Sequence, residues 1–260
     1  MLDDLFEELK KWFNQYLQRY QFKNKEDQKQ IDLKYHHSYR VLEEITELAR
    51  SLQLSKKEET ITQIIGLFHD VGRFEQYACY QTFSDARSLD HAELGVKILI
   101  ENNLLTEFEQ ALRQRIIKAI AYHNKAVIPQ EAFAKDPAGL RYAQLIRDAD
   151  KLDIWNIFVQ RYYSNEDNSK ISHGLSPKGG ITPEIYEKMK KGEVINYQRL
   201  QTQDDLKLMQ MGWIYDLNFK ASLRTVKKRG YIDKIYQSMS PSKEAKEIYQ
   251  QIVAYLNSHL

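Results

Sequence analysis

The chain has 260 residues, with 38 Lys+Arg against 36 Asp+Glu, 42% hydrophobic and 12% aromatic residues, and one cysteine, Cys79. That apolar content excludes wholesale disorder, and a formal net charge of +2 gives no electrostatic case for nucleic acid or an anionic membrane as partner. A lone cysteine excludes a disulfide framework or cysteine-rich zinc module, no stretch approaches the ~18 apolar residues of a spanning helix, and MLDDLFEELKKW is unlike a secretory signal, so a cytoplasmic globular protein is expected.

Glycine (10) and proline (5) are scarce, and apolar residues recur at helical spacing, which predicts an all-α fold. Helices are expected at 2–20, 30–54, 58–71, 90–103, 106–124, 138–163, 183–192, 204–225 and 242–258. Residues 72–89 and 164–183 lack clean periodicity and read as loops; the second contains Gly174, Pro177, Gly179 and Gly180. No linker separates two cores. The chain is therefore expected to form one globular unit: an N-terminal helix (1–29) on the bundle, a metal-binding domain (30–163), then a loop or lid with C-terminal helices (164–260).

Leu33, His37, Val41, Ile45, Leu48 and Leu52 lie on one stripe of the 30–54 helix, so His37 faces inward and His36 outward. The next segment, ITQIIGLFHDVG, is nearly all apolar up to His69-Asp70 and ends at Gly72, which reads as a C-cap. A carboxylate there costs on the order of several kcal/mol unless paired, and a cation is the simplest partner. Asp90 reads as an N-cap with Glu93 completing a capping box, and His91 shares a face with Leu94, Gly95 and Ile98. The positive helix end there favours neutral imidazole. His123 closes the apolar face Phe108, Leu112, Ile116, Ala119, Ile120. In the 138–163 helix, Ala143, Ile146, Asp150, Asp153 and Ile157 share a face, whereas Asp148 falls among Arg141, Gln144 and Lys151. This makes Asp150 the buried carboxylate, with Asp148 and Lys151 solvated.

Four inward histidines and two inward aspartates would need many internal hydrogen-bond partners, whereas a metal site satisfies them together. Imidazole with carboxylate suits Mn, Fe, Co, Ni or Zn, and the lack of thiolates argues against a purely structural zinc site.

The ordered set His37 … His69-Asp70 … Asp150, in the strings HSYRV, GLFHDVGRF and RDADKLD, resembles the HD-domain superfamily of metal-dependent phosphohydrolases over roughly residues 30–160. His91 in HAELG and His123 in AYHN resemble the added ligands of binuclear members, including the HD-GYP phosphodiesterases and cyclic-nucleotide phosphodiesterases. The string HDVGRFEQ is similar to that of small bacterial HD proteins. The resemblance implies an HD-domain helical bundle and two divalent ions. His37, His69, Asp70 and Asp150 would hold one ion, with Asp70 bridging to a second held by His91 and His123. It implies catalytic roles for Asp70 and Arg73, the latter standing where HDIGK has lysine and contacting phosphate. Glu75 matches an acid kept near the doublet by some HD nucleotidases. Asp153 is a candidate for orienting the ligands. Lys178 and His173, on the glycine-containing loop, are candidates for closing over a phosphate, and Tyr77, Tyr80 and Phe83 for a nucleobase wall.

The chain departs from the HD-GYP pattern in having Asn124 after His123 and no HHE…GYP segment. The expected function is hydrolysis of a nucleotide or other small phosphate ester by a metal-activated hydroxide between ions about 3.5–4 Å apart. The alternatives are a di-iron oxygenase on the same scaffold and a non-enzymatic ligand-binding protein.

Overall fold

The computed structural model describes residues 2–164, 174–193 and 195–260. Among these the fold is all-α: α1 (Leu2–Leu17), α2 (Lys25–Ser51), α3 (Lys56–Phe68), α4 (Gly72–Tyr80), α5 (His91–Glu101), α6 (Gln110–Tyr122), α7 (Pro137–Tyr162), α8 (Pro183–Lys190), α9 (Gln203–Gly212), α10 (Lys220–Arg229), α11 (Tyr231–Gln237) and α12 (Lys243–Ser258). The β-type pairing described is one isolated bridge, Ser176 to Thr202. No helix among the described residues is long and apolar enough to cross a membrane.

The chain divides into two compact units, Met1–Asp150 and Lys151–Leu260, so the division falls inside α7 rather than at the expected 163/164 boundary. In the first unit α3 lies along α2. A Cβ on Gly66 would stand 2.7 Å from Ile45 Cγ2, so the glycine allows the close approach that brings His69 beside His37. Phe13 of α1 packs edge-on to Phe68 and Phe74, and Ile61, Ile64, Ile65, Ile116 and Ile120 complete a dry interior. Burying each such side chain contributes roughly 1.5–3 kcal/mol. The second unit is built around Trp155, whose indole N–H donates to the Gln210 carbonyl at 3.0 Å, with Met189, Leu208, Met211, Ile235, Ile248 and Ile252 buried in the same unit.

Several boundaries differ from the sequence reading for identifiable reasons. α2 begins at Lys25 because Asn24 caps the Glu26 N–H, which supports a polar first turn with no apolar periodicity. Residues 72–80 are helical, not a loop; their apolar members Phe74 and Tyr77 are buried within a mixed sequence. The expected 204–225 helix breaks at a 3₁₀ turn over Trp213–Asp216, which places Ile214 in the core and Asp216 2.7 Å from Lys151. Lys151 is thus ion-paired rather than solvated.

Candidate metal centre

Five helices deliver six side chains to one place in the first unit. His37 projects from the middle of α2, and His69 and His123 occupy the C-cap positions of α3 and α6. Asp70 follows His69 directly, His91 opens α5, and Asp150 lies on α7. All but Asp150 are nearly fully buried; its side chain is 22% exposed.

The main chain presets the rings. His69 Nδ1 donates to the Gly66 carbonyl at 2.8 Å and His123 Nδ1 to the Ile120 carbonyl at 2.7 Å. His91 Nδ1 donates to the Asp85 carboxylate at 2.8 Å. Carbonyls and ionised carboxylates only accept, so in the neutral rings each Nε2 carries a lone pair directed inward. His91 Nε2 and His123 Nε2 are 3.1 Å apart, and His37 Nε2 and His69 Nε2 3.3 Å. Two ring nitrogens facing each other at 3.1 Å are what a shared cation would satisfy. The donor set therefore fits a metal.

Asp70 divides this centre. Its Oδ2 lies 3.4 Å from His37 Nε2 and 3.8 Å from His69 Nε2, whereas Oδ1 lies 3.2 Å from His91 Nε2 and 3.6 Å from His123 Nε2. Asp150 Oδ1 joins the first half, 3.1 Å from His37 Nε2 and 3.9 Å from His69 Nε2. The atoms of His37, His69 and Asp150, and separately those of His69, Asp70 and His123, lie within 4.8 Å of one another, close enough for shared coordination.

Burial works against an ionised Asp70, but the Lys34 ammonium and surrounding imidazoles outweigh it and hold the carboxyl well below the usual range. Burial also opposes ionisation of Asp150, and there the hydrogen bond with His37 lowers the pKa. For His69 burial dominates and pushes the ring down to about 3, so it is neutral at pH 7.

A second layer braces the His91 side. Asp85 accepts from Arg73 Nη1 (3.0 Å), Gln76 Nε2 (2.8 Å) and Asn124 Nδ2 (3.3 Å) as well as from His91. Gly72 lets α4 pass against α5: an added Cβ would meet the His91 carbonyl oxygen at 2.2 Å and Gly95 N at 2.6 Å. Its role is close approach rather than the expected C-cap, and its φ is not in the left-handed region. Asp90 caps α5 through Ala92 N and Glu93 N and pairs with Lys125 at 2.6 Å; the Glu93 half of a capping box is not formed. On α7, Arg147 is buried and donates to the carbonyls of His123, Lys125 and Ala126, fixing the chain just after His123.

The remaining expected site residues fare differently. Arg73 is mostly buried, its Nε 3.5 Å from Asp70 Oδ1, but its Nη1 is engaged by Gln76, the Phe83 carbonyl and Asp85. Glu75 accepts from Tyr16 of α1 at 3.4 Å, because two residues along a helix is about 200° of rotation from Arg73. Asp148 is fully buried rather than solvated, as are its chain neighbours Arg147 and Ala149. Asp153 is buried in the second unit, and Lys178 is exposed there. His173 lies outside the described residues. Tyr77 is buried against Phe83, with ring centroids 4.9 Å apart, and Tyr80 is exposed, so of the expected aromatic wall Phe83 alone lies close to the centre, through Lys34. Asp85 and Lys34 were not identified from the sequence.

An all-helical scaffold directing histidine and aspartate at one point defines a metal-site protein. Residues 35–155 match the HD domain family, and all six converging side chains lie within this segment. No curated protein and no solved structure matches the chain.

Proposed function

We propose that the protein is a metal-dependent hydrolase of a nucleotide or similar small phosphate ester, with His37, His69, Asp70 and Asp150 holding one divalent ion and Asp70, His91 and His123 a second. The observation that carries this reading is the division of Asp70, each oxygen facing its own pair of imidazoles. Divalent ions there supply Lewis acidity toward phosphoryl oxygens and lower the pKa of a bound water toward neutrality. The protein's own contribution is preorganisation: main-chain carbonyls fix two rings, Asp85 fixes a third, and burial keeps His69 neutral and ligating. Arg73 brings a guanidinium beside Asp70 Oδ1, where its charge opposes the negative charge that builds on the phosphoryl group.

The test is release of phosphate or nucleoside from a panel of nucleotides and phosphodiesters with Mn²⁺, Co²⁺ or Ni²⁺ supplied in turn, beside Asp70→Ala. Release that disappears in the variant is expected. Activity retained by Asp70→Ala overturns the assignment. Iron content with oxygen consumption and no phosphate release selects the di-iron oxygenase, and bound metal without any turnover selects a ligand-binding role.

A further inference from the structure

Lys34 lies on α2 one turn before His37. Its Nζ is 2.8 Å from Asp70 Oδ2, and it stands over the Phe83 ring at 5.5 Å. The side chain is 16% exposed, so it is not sealed from solvent. We propose that Lys34 is a substrate-binding residue that holds a phosphoryl oxygen of the ester, with Phe83 forming the apolar edge of the same subsite; this rests on the two-ion hydrolase reading above.

The argument is one of charge. A cation beside a bridging carboxylate draws on the same oxygen that a metal ion needs and repels the ion itself, so a centre built only to hold metal is weakened by it. Two divalent ions bring four positive charges against Asp70 and Asp150. Arg73 is answered by Asp85, at 3.0 Å, and Lys125 by Asp90, at 2.6 Å. Lys34 is answered by Asp70, a carboxylate already shared between both halves of the centre. The excess positive charge at Lys34 is what a multiply charged phosphate would neutralise. An ammonium has three N–H donors and the Asp70 bond uses one, which leaves capacity for an incoming anion. Phe83 covers one side of the ammonium, a placement that suits an ester whose leaving group is flat and apolar.

Full-length protein loaded with Mn²⁺ provides the test, with inorganic phosphate as the probe. Metal content and the calorimetric Kd for phosphate are measured for the wild type, Lys34→Met, Lys34→Gln and Lys34→Arg, the glutamine variant serving if methionine does not fold. Metal content is expected to stay at the wild-type level while phosphate affinity falls about tenfold or more in the uncharged variants and recovers in Lys34→Arg. With the ester identified by the panel, KM is expected to rise more than kcat falls.

Phosphate affinity unchanged in the uncharged variants overturns the proposal. So does loss of metal in them, which assigns Lys34 to assembly of the centre. If the wild type turns over in an Asp70-dependent manner while the variants bind phosphate normally, only the role of Lys34 fails. If phosphate binding depends on Lys34 but no ester is cleaved, the hydrolase reading fails, and Lys34 is an anion-binding residue without the substrate role. A wild type that binds no phosphate removes both.

Discussion

The two halves of the centre are supported differently. On the His37–His69–Asp150 side, His69 is oriented by the Gly66 carbonyl, part of a helix that exists for packing reasons, and His37 and Asp150 project from the interiors of long helices. On the other side, His123 has the same kind of support from Ile120, but His91 depends on Asp85, a side chain from a short 3₁₀ turn held by Arg73, Gln76 and Asn124. Main-chain support cannot be removed by a point substitution, whereas a side-chain network can. The second half is therefore the one that mutation can detach while the first persists.

Removing Asp70, the carboxylate proposed to be shared, should have the largest effect. Asp70→Ala is expected to lower bound metal in both halves and turnover by about three orders of magnitude or more, read by elemental analysis beside activity. Retention of a full metal complement would mean that the halves do not share Asp70. Gly72→Ala comes next, because its Cβ would overlap backbone atoms of His91 and Gly95 that no side-chain rotation relieves. A loss of about 1–3 kcal/mol is expected in chemical denaturation, with metal lost from the His91 side first.

Asp85→Asn sharpens the contrast most directly. It should weaken one of two metal-binding steps by about 10–100-fold in a titration while leaving the other alone. Equal weakening of both steps would erase the distinction drawn here.

The smallest effect is expected at the cap of α5. Asp90→Ala should cost about 1 kcal/mol near neutral pH. Burial disfavours the Asp90 charge, but bonds from Lys125, Asn124 and the first-turn N–H groups outweigh it and bring its pKa below the ordinary 3.8. Its contribution to stability is therefore complete above about pH 4 and is lost as pH falls through the lower folded-state value. Acid denaturation curves of the variant should accordingly fall less steeply below pH 4 than those of the wild type.

Much of the centre was legible because a helical wheel sorts inward from outward residues where a helix has one wet face. His37 is buried and His36 exposed for this reason. The same tool failed on α7, where Asp148, assigned to solvent, is fully buried. Asp85 carried no signal at all, since it lies in a stretch without periodicity and acts through a fold-dependent contact. Lys34 did carry one: it precedes His37 by three residues, which places both on one side of α2 and close to a carboxylate that needs a cation. α4 was hidden by its length of nine residues and its mixed composition.

The opposed Nε2 atoms of His91 and His123 also bear on folding. With both Nδ1 atoms donating elsewhere, two Nε2 atoms stand 3.1 Å apart, an arrangement that a bound cation would satisfy. Because the ligands converge only in the folded chain, free metal at a hundred times its Kd would add about 2.7 kcal/mol to apparent stability. The melting temperature would then rise with metal supply, and the abundance of intact protein in a cell would follow the availability of the proposed ion.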